Sequence, residues 1–97
     1  MPVQTAIVQA TIGLHARPAA LFVRAVHETG LPVTISKDGR HGVDARSLLE
    51  VMTEDFHCGC VVKLAVALEA VPARYSPDDV ERALDVLKDV LESARSR

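Results

Sequence analysis

Gly13-Leu14-His15-Ala16-Arg17-Pro18-Ala19-Ala20 is the stretch from which the rest of the chain can be read. Pro18 has no N–H and a preset φ, so it belongs in the first turn of a helix. Leu21, Phe22, Ala25 and Val26 follow at helical spacing and predict a helix over residues 16–28. Thr29-Gly30 ends it, and Pro32 cannot continue it. His15 is thereby placed at the helix N-terminus, where unpaired amides and the positive end of the dipole favour an anion. Imidazole is neutral and nucleophilic near pH 7, and a phosphoryl group on its nitrogen stays labile enough to be handed on. The Arg17 guanidinium can offer two parallel N–H bonds to phosphate oxygens, and the backbone amides of Ala16 and Arg17 add two more donors. A plain capping role for His15 is the competing reading.

Working outward, residues 3–8 alternate, with Val3, Thr5 and Ile7 on one face and Gln4, Ala6 and Val8 on the other. Val33-Thr34-Ile35-Ser36 alternates again. Lys37-Asp38-Gly39-Arg40 is a hairpin signal that leads into a short strand over 41–45. Ser47-Leu48-Leu49-Glu50 has the spacing of a capping box and predicts a short helix from Ser47 to near Thr53. Residues 60–68 alternate, with Val62, Leu64, Val66 and Leu68 on one side, and residues 69–75 form a loop containing Pro72. Ser76-Pro77-Asp78-Asp79 starts a capped helix. Its apolar stripe is Val80, Ala83, Leu84, Leu87, Leu91 and Ala94, and residues 93–97 fray. The order βαββαβα in 97 residues predicts one α+β domain over 1–97, an antiparallel sheet with its helices layered on one face.

The octapeptide resembles the active-site signature of the HPr family, the histidine-containing phosphocarriers of the phosphoenolpyruvate-dependent sugar phosphotransferase system. Asp38-Gly39 falls where that family has a hairpin turn. Ala45-Arg46-Ser47-Leu48-Leu49 looks like its second helix entry, and Gly59 before Val61-Val62 looks like the start of its last strand. The resemblance covers most of residues 3–68 and, more loosely, the terminal helix. It implies an open-faced β-sandwich with four antiparallel strands and three helices on one face. It also implies a stoichiometric carrier, not an enzyme, with His15 as phosphoryl acceptor and donor and Arg17 as phosphate stabiliser.

The same resemblance implies an upstream phosphoenolpyruvate-using partner of the Enzyme I type and sugar-specific Enzyme II components downstream. It carries a regulatory serine onto Ser47, which a serine kinase or phosphorylase would modify. Leu48, Leu49 and Met52 lie on a helix too short to bury every apolar side chain: Val51 is expected to face the core with one of the leucines, and the resemblance implies that the others are exposed as a docking patch beside Leu21. Many members have Asn or Ser before the motif glycine, where this chain has Ile12, with Thr11 beside it. Members usually carry Leu-Gly after the second helix, where this chain has Glu54-Asp55. Nearby carboxylates would oppose an incoming phosphate, so this pair is expected to point into solvent or to engage Arg46 or Arg17.

Composition narrows the classes. Net charge is −2, with a mildly basic first half and an acidic second half, unlike the basic footprint of a nucleic-acid binder. No apolar run approaches a membrane span and no signal core opens the chain, so a cytoplasmic location is expected; a monomer without a cofactor is expected as well. His57, Cys58 and Cys60 could supply three metal ligands, which makes a small thiol or metal-binding domain an alternative. A turn with two small thiols flanking Gly59 is the simpler account, so no metal is expected. A regulatory HPr-like protein, acting by docking or through Ser47 with weak phosphotransfer, is the other alternative.

Overall fold

The computed structural model describes residues 2–37 and 40–93. Strand β1 spans Val3–Ile7, with Ala6 buried and Val3, Thr5 and Ile7 facing outward as the alternation requires. Helix α1 spans Ala16–Thr29 and buries Ala19, Phe22, Val23 and Val26. It stops at Gly30, whose φ of 71° suits a residue without a Cβ and whose N–H returns to the His27 carbonyl. Strands β2, Val33–Lys37, and β3, Val43–Asp44, precede helix α2, Leu48–Thr53. Strand β4, Val61–Val66, leads through a 3-10 turn at Leu68–Ala70 to helix α3, Pro77–Ser93. The expected turn at Asp38-Gly39 and the stripe residue Ala94 lie outside the described residues.

The four strands form one antiparallel sheet in the order β1-β4-β2-β3. Its covered face carries Ala6, Val33, Ile35, Val62, Leu64 and Val66. These pack against Phe22 and Val26 of α1, Val51 of α2, and Val80, Leu84, Leu87 and Leu91 of α3. The core is thus largely aliphatic, with Phe22 and Phe56 as its largest side chains.

Two strands are shorter than the alternation suggests. β4 stops at Val66 because its neighbours end there: Val33 pairs with Val66, and Pro32 before it has no N–H to extend the ladder. The next carbonyl, Ala67, accepts from Ala70 and closes the 3-10 turn. β3 is two residues long because Asp44 turns the chain. Its carboxylate accepts from the Arg46 N–H at 2.9 Å, and its carbonyl accepts from the Ser47 N–H at 3.0 Å.

Those same bonds open the capping box at α2. Ser47 Oγ accepts the Glu50 N–H at 3.2 Å as expected. The Ser47 N–H is already spent on Asp44, so the Glu50 carboxylate reaches past it to the Asp44 N–H at 3.2 Å. At α3 the box closes fully: Asp79 N–H donates to Ser76 Oγ, and Ser76 N–H donates to the Asp79 carboxylate. Asp79 is held below the usual carboxylate range by the Ser76 backbone bond first, then by the Ser76 side chain and Arg82.

Candidate functional site

His15 is the N-cap of α1, with extended backbone (φ −128°, ψ 159°) and an imidazole that makes no capping bond. Its ring is therefore available to the outside, and the first-turn amides of Ala16 and Arg17 have no intrahelical acceptor. Ala16 takes φ 51°, in the left-handed region, at a cost of about 1–3 kcal/mol. This left-handed residue swings the chain from extended into helical conformation. Successive N–H groups around such a residue form a concave anion seat. No acid lies in the first turn of α1, and Arg17 is exposed, with no hydrogen bond or ion pair among the described residues. A cavity of about 200 Å³ opens beside it, lined by Ala10, Thr11, Ile12, Ala16, Arg17, Pro18 and Leu21.

The segment before His15 is clamped to a distant part of the chain. Leu14 is buried and its N–H donates to the Phe56 carbonyl at 2.7 Å. Gly13 has φ 75°, and a Cβ there would stand 2.6 Å from the Phe56 carbonyl oxygen and 2.9 Å from His57 Cα. Only glycine permits both this turn and this approach. Phe56 is itself fully buried, so the clamp is anchored on both sides.

The clamp brings Asp55 to His15. The Asp55 carboxylate lies 3.2 Å from His15 Nε2, against the expectation that the Glu54-Asp55 pair would point away. The two acids diverge. Glu54 is half-buried and turns to Arg40 at 4.0 Å, rather than to Arg46 or Arg17. Asp55 adopts φ 59°, and this left-handed seat reverses the chain after α2 and sends its carboxylate towards α1. Arg46 is occupied elsewhere, bidentate on Asp44 at 3.0 and 3.3 Å. That contact holds the Asp44 carboxyl below its usual range, with the Arg46 side chain as the main cause.

Ser47 is half-buried, its hydroxyl engaged in the cap. His27 Nε2–H donates to the Arg46 carbonyl at 2.9 Å and ties the end of α1 to the entry of α2. Leu21, Leu48 and Leu49 are exposed as the resemblance implies, Leu49 most of all at 77%. Val51 is buried without either leucine beside it. Met52 departs from the expected exposed patch: it is half-buried and packs on the core, because the short helix turns it inward beside Val51.

The cysteines do not converge. Cys60 is buried with its Sγ towards the Val61 carbonyl, while Cys58 is exposed with its Sγ towards the Gln9 carbonyl. Among the described residues no group of three His, Cys, Asp or Glu side chains is placed to hold a metal ion. Nor, among those residues, is any helix long and apolar enough to cross a membrane.

Fold and site together define a small α+β domain with a histidine presented at a helix N-terminus. The PTS-HPr family, described as the PTS HPr component phosphorylation site, matches residues 3–93. The chain belongs to this family. It is 46% identical over 61 residues to the phosphocarrier protein HPr of Streptomyces coelicolor, a match covering 63% of this chain and 66% of that protein. It is 34% identical over 88 residues to the phosphocarrier protein HPr of Borreliella burgdorferi, covering 91% of each. Among solved structures it is similar to HPr-C-His from Thermoanaerobacter tengcongensis, with a TM-score of 0.78 and 32% identity. That match covers 100% of this chain and 98% of the other.

Proposed function

We propose that His15 accepts a phosphoryl group from an upstream phosphoenolpyruvate-dependent phosphotransferase of the Enzyme I type and passes it to a sugar-specific Enzyme II component. The chain acts as a stoichiometric, cytoplasmic, monomeric carrier without its own substrate pocket. The observation that carries this reading is the half-exposed His15 ring, which makes no capping bond, at the N-terminus of α1, with Arg17 and two first-turn amides unspent beside it. Phosphoryl transfer asks little of a protein beyond positioning and charge stabilisation, and these groups supply both. Leu21, Leu48 and Leu49 form the docking surface, with Met52 contributing only its outer part.

Ser47 enters the proposal as the modification point for a serine kinase. Its hydroxyl stands at the N-terminus of α2, next to exposed Leu48 and Leu49. A phosphate there would place nearly two negative charges at the edge of the docking surface, close to Asp44 and Glu50.

Incubation with phosphoenolpyruvate and an upstream phosphotransferase should give an acid-labile phosphoryl group on the wild-type chain. His15→Ala should take up none while keeping its far-ultraviolet circular dichroism and melting temperature, since the half-exposed ring packs little. Full labelling of His15→Ala would end the reading at this residue.

A further inference from the structure

We propose that Asp55 is a positioning residue for His15, accepting the Nε2–H of the imidazole so that the ring's lone pair stands on Nδ1. The inference rests on the reading of His15 as the phosphoryl acceptor. Its ground is the 3.2 Å contact between His15 Nε2 and Asp55 Oδ1, 40 residues apart in the chain. A carboxylate only accepts hydrogen bonds, so the nitrogen facing it carries the proton. The partner of one ring nitrogen sets the state of the other. Among the described residues only Nε2 of this ring is hydrogen-bonded, which leaves Nδ1 as the bare nucleophile.

Backbone geometry supports a built contact. Asp55 occupies a left-handed seat, φ 59°, where glycine would sit without strain. An aspartate there places its carboxylate on the ring. The backbones of the two residues are held close, because Leu14 and Phe56, their neighbours, are buried and hydrogen-bonded to each other at 2.7 Å.

The step balances without a further reactant beyond the phosphoryl donor. The Nδ1 lone pair attacks phosphorus and the N–P bond forms. The donor's own bond to phosphorus breaks, and its electron pair leaves with the donor. The proton stays on Nε2, and the positive charge that develops on the ring is met by the Asp55 carboxylate, as the aspartate of a hydrolytic triad meets its imidazolium. Delivery to the next carrier is the reverse. Repulsion between Asp55 and the phosphate is the opposing effect. The carboxylate faces the far nitrogen and is 72% exposed, so water screens its charge from a group on Nδ1.

The test is Asp55→Gly, which suits the left-handed backbone and keeps the fold. Long-range ¹H–¹⁵N correlation spectra of His15, taken where the ring is neutral, report which nitrogen carries the proton. The wild type should show a protonated Nε2 and a bare Nδ1, and Asp55→Gly should move towards a mixture of the two. Phosphoryl acceptance from the phosphorylated upstream enzyme should slow about two- to fivefold, the value of one exposed ion pair. An unchanged tautomer, or transfer at the wild-type rate or faster, would overturn the positioning role. His15→Ala is run beside it. If that variant is inert while Asp55→Gly matches wild type, the positioning role alone fails. If His15→Ala is still phosphorylated, the carrier reading of this histidine fails and the proposal falls with it.

Discussion

Arg17 and Gly13 matter for opposite reasons. Arg17 is exposed and makes no hydrogen bond or ion pair among the described residues, so its worth lies in what it can bind. Losing one charge-assisted contact to phosphate costs about 2–3 kcal/mol, or roughly 30–150-fold in rate. Arg17→Ala should therefore slow phosphoryl transfer by that factor with an unchanged melting temperature. Transfer at the wild-type rate would leave the task to the backbone amides. Gly13 binds nothing itself, yet it lets the loop approach Phe56. Gly13→Ala combines a left-handed φ with a Cβ 2.6 Å from a carbonyl oxygen, neither of which can relax cheaply. It should destabilise the protein by about 2–4 kcal/mol. It should also loosen the His15–Asp55 contact, both readable by denaturant unfolding and by the His15 ring spectra.

At the scale of the element, α2 shows how a short helix is divided between structure and recognition. Six residues cannot hold a helix alone, so α2 depends on the Ser47 cap and on Val51 in the core. Leu48 and Leu49 are left on the outside, and Leu49 at 77% exposure contributes little to folding. Leu49→Glu should weaken binding of the upstream phosphotransferase in titration calorimetry while moving stability by less than about 0.5 kcal/mol. A large stability loss would instead assign Leu49 to the core. Helix α1 is held to the core by Ala19, Phe22, Val23 and Val26, while Arg17 in its first turn stays exposed.

For the molecule as a whole, α3 is fastened to the edge strand β1 by polar bonds as well as by its apolar stripe. The Ile7 N–H donates to the Glu92 carboxylate at 3.1 Å, and the Gln9 N–H donates to the Leu91 carbonyl at 3.2 Å. Glu92 is held below the usual glutamate range by Lys88 first and the Ile7 amide second. Asp44 and Asp79 are lowered in the same direction. A carboxyl lowered on folding adds stability that is fully present above its unfolded value of about 4. That stability is lost as pH falls through the lower folded value. The melting temperature should therefore drop below about pH 4, and drop less steeply in Glu92→Gln, which has no such proton to take up. Equal slopes in the two proteins would show that Glu92 has no part in acid unfolding.

The order of elements, the α3 stripe over Val80–Leu91 and the place of His15 at the start of α1 were all legible in the residues, because each rests on local periodicity or a local cap. Val80, Leu84, Leu87 and Leu91 recur with the helical period, and Pro18 marks a first turn wherever the helix later packs. The seat of Met52 and the length of β3 were less legible, since both depend on what the neighbouring turn does with its hydrogen bonds. Least legible was the pair Glu54-Asp55. Both are acids, adjacent, and equally able to seek a cation. The left-handed backbone at Asp55 and the Leu14–Phe56 bond send one carboxylate to Arg40 and the other to His15. Sequence alone determined that a histidine stands at a helix start. Only the tertiary structure decided which of its two nitrogens faces a carboxylate, because that contact joins segments 40 residues apart.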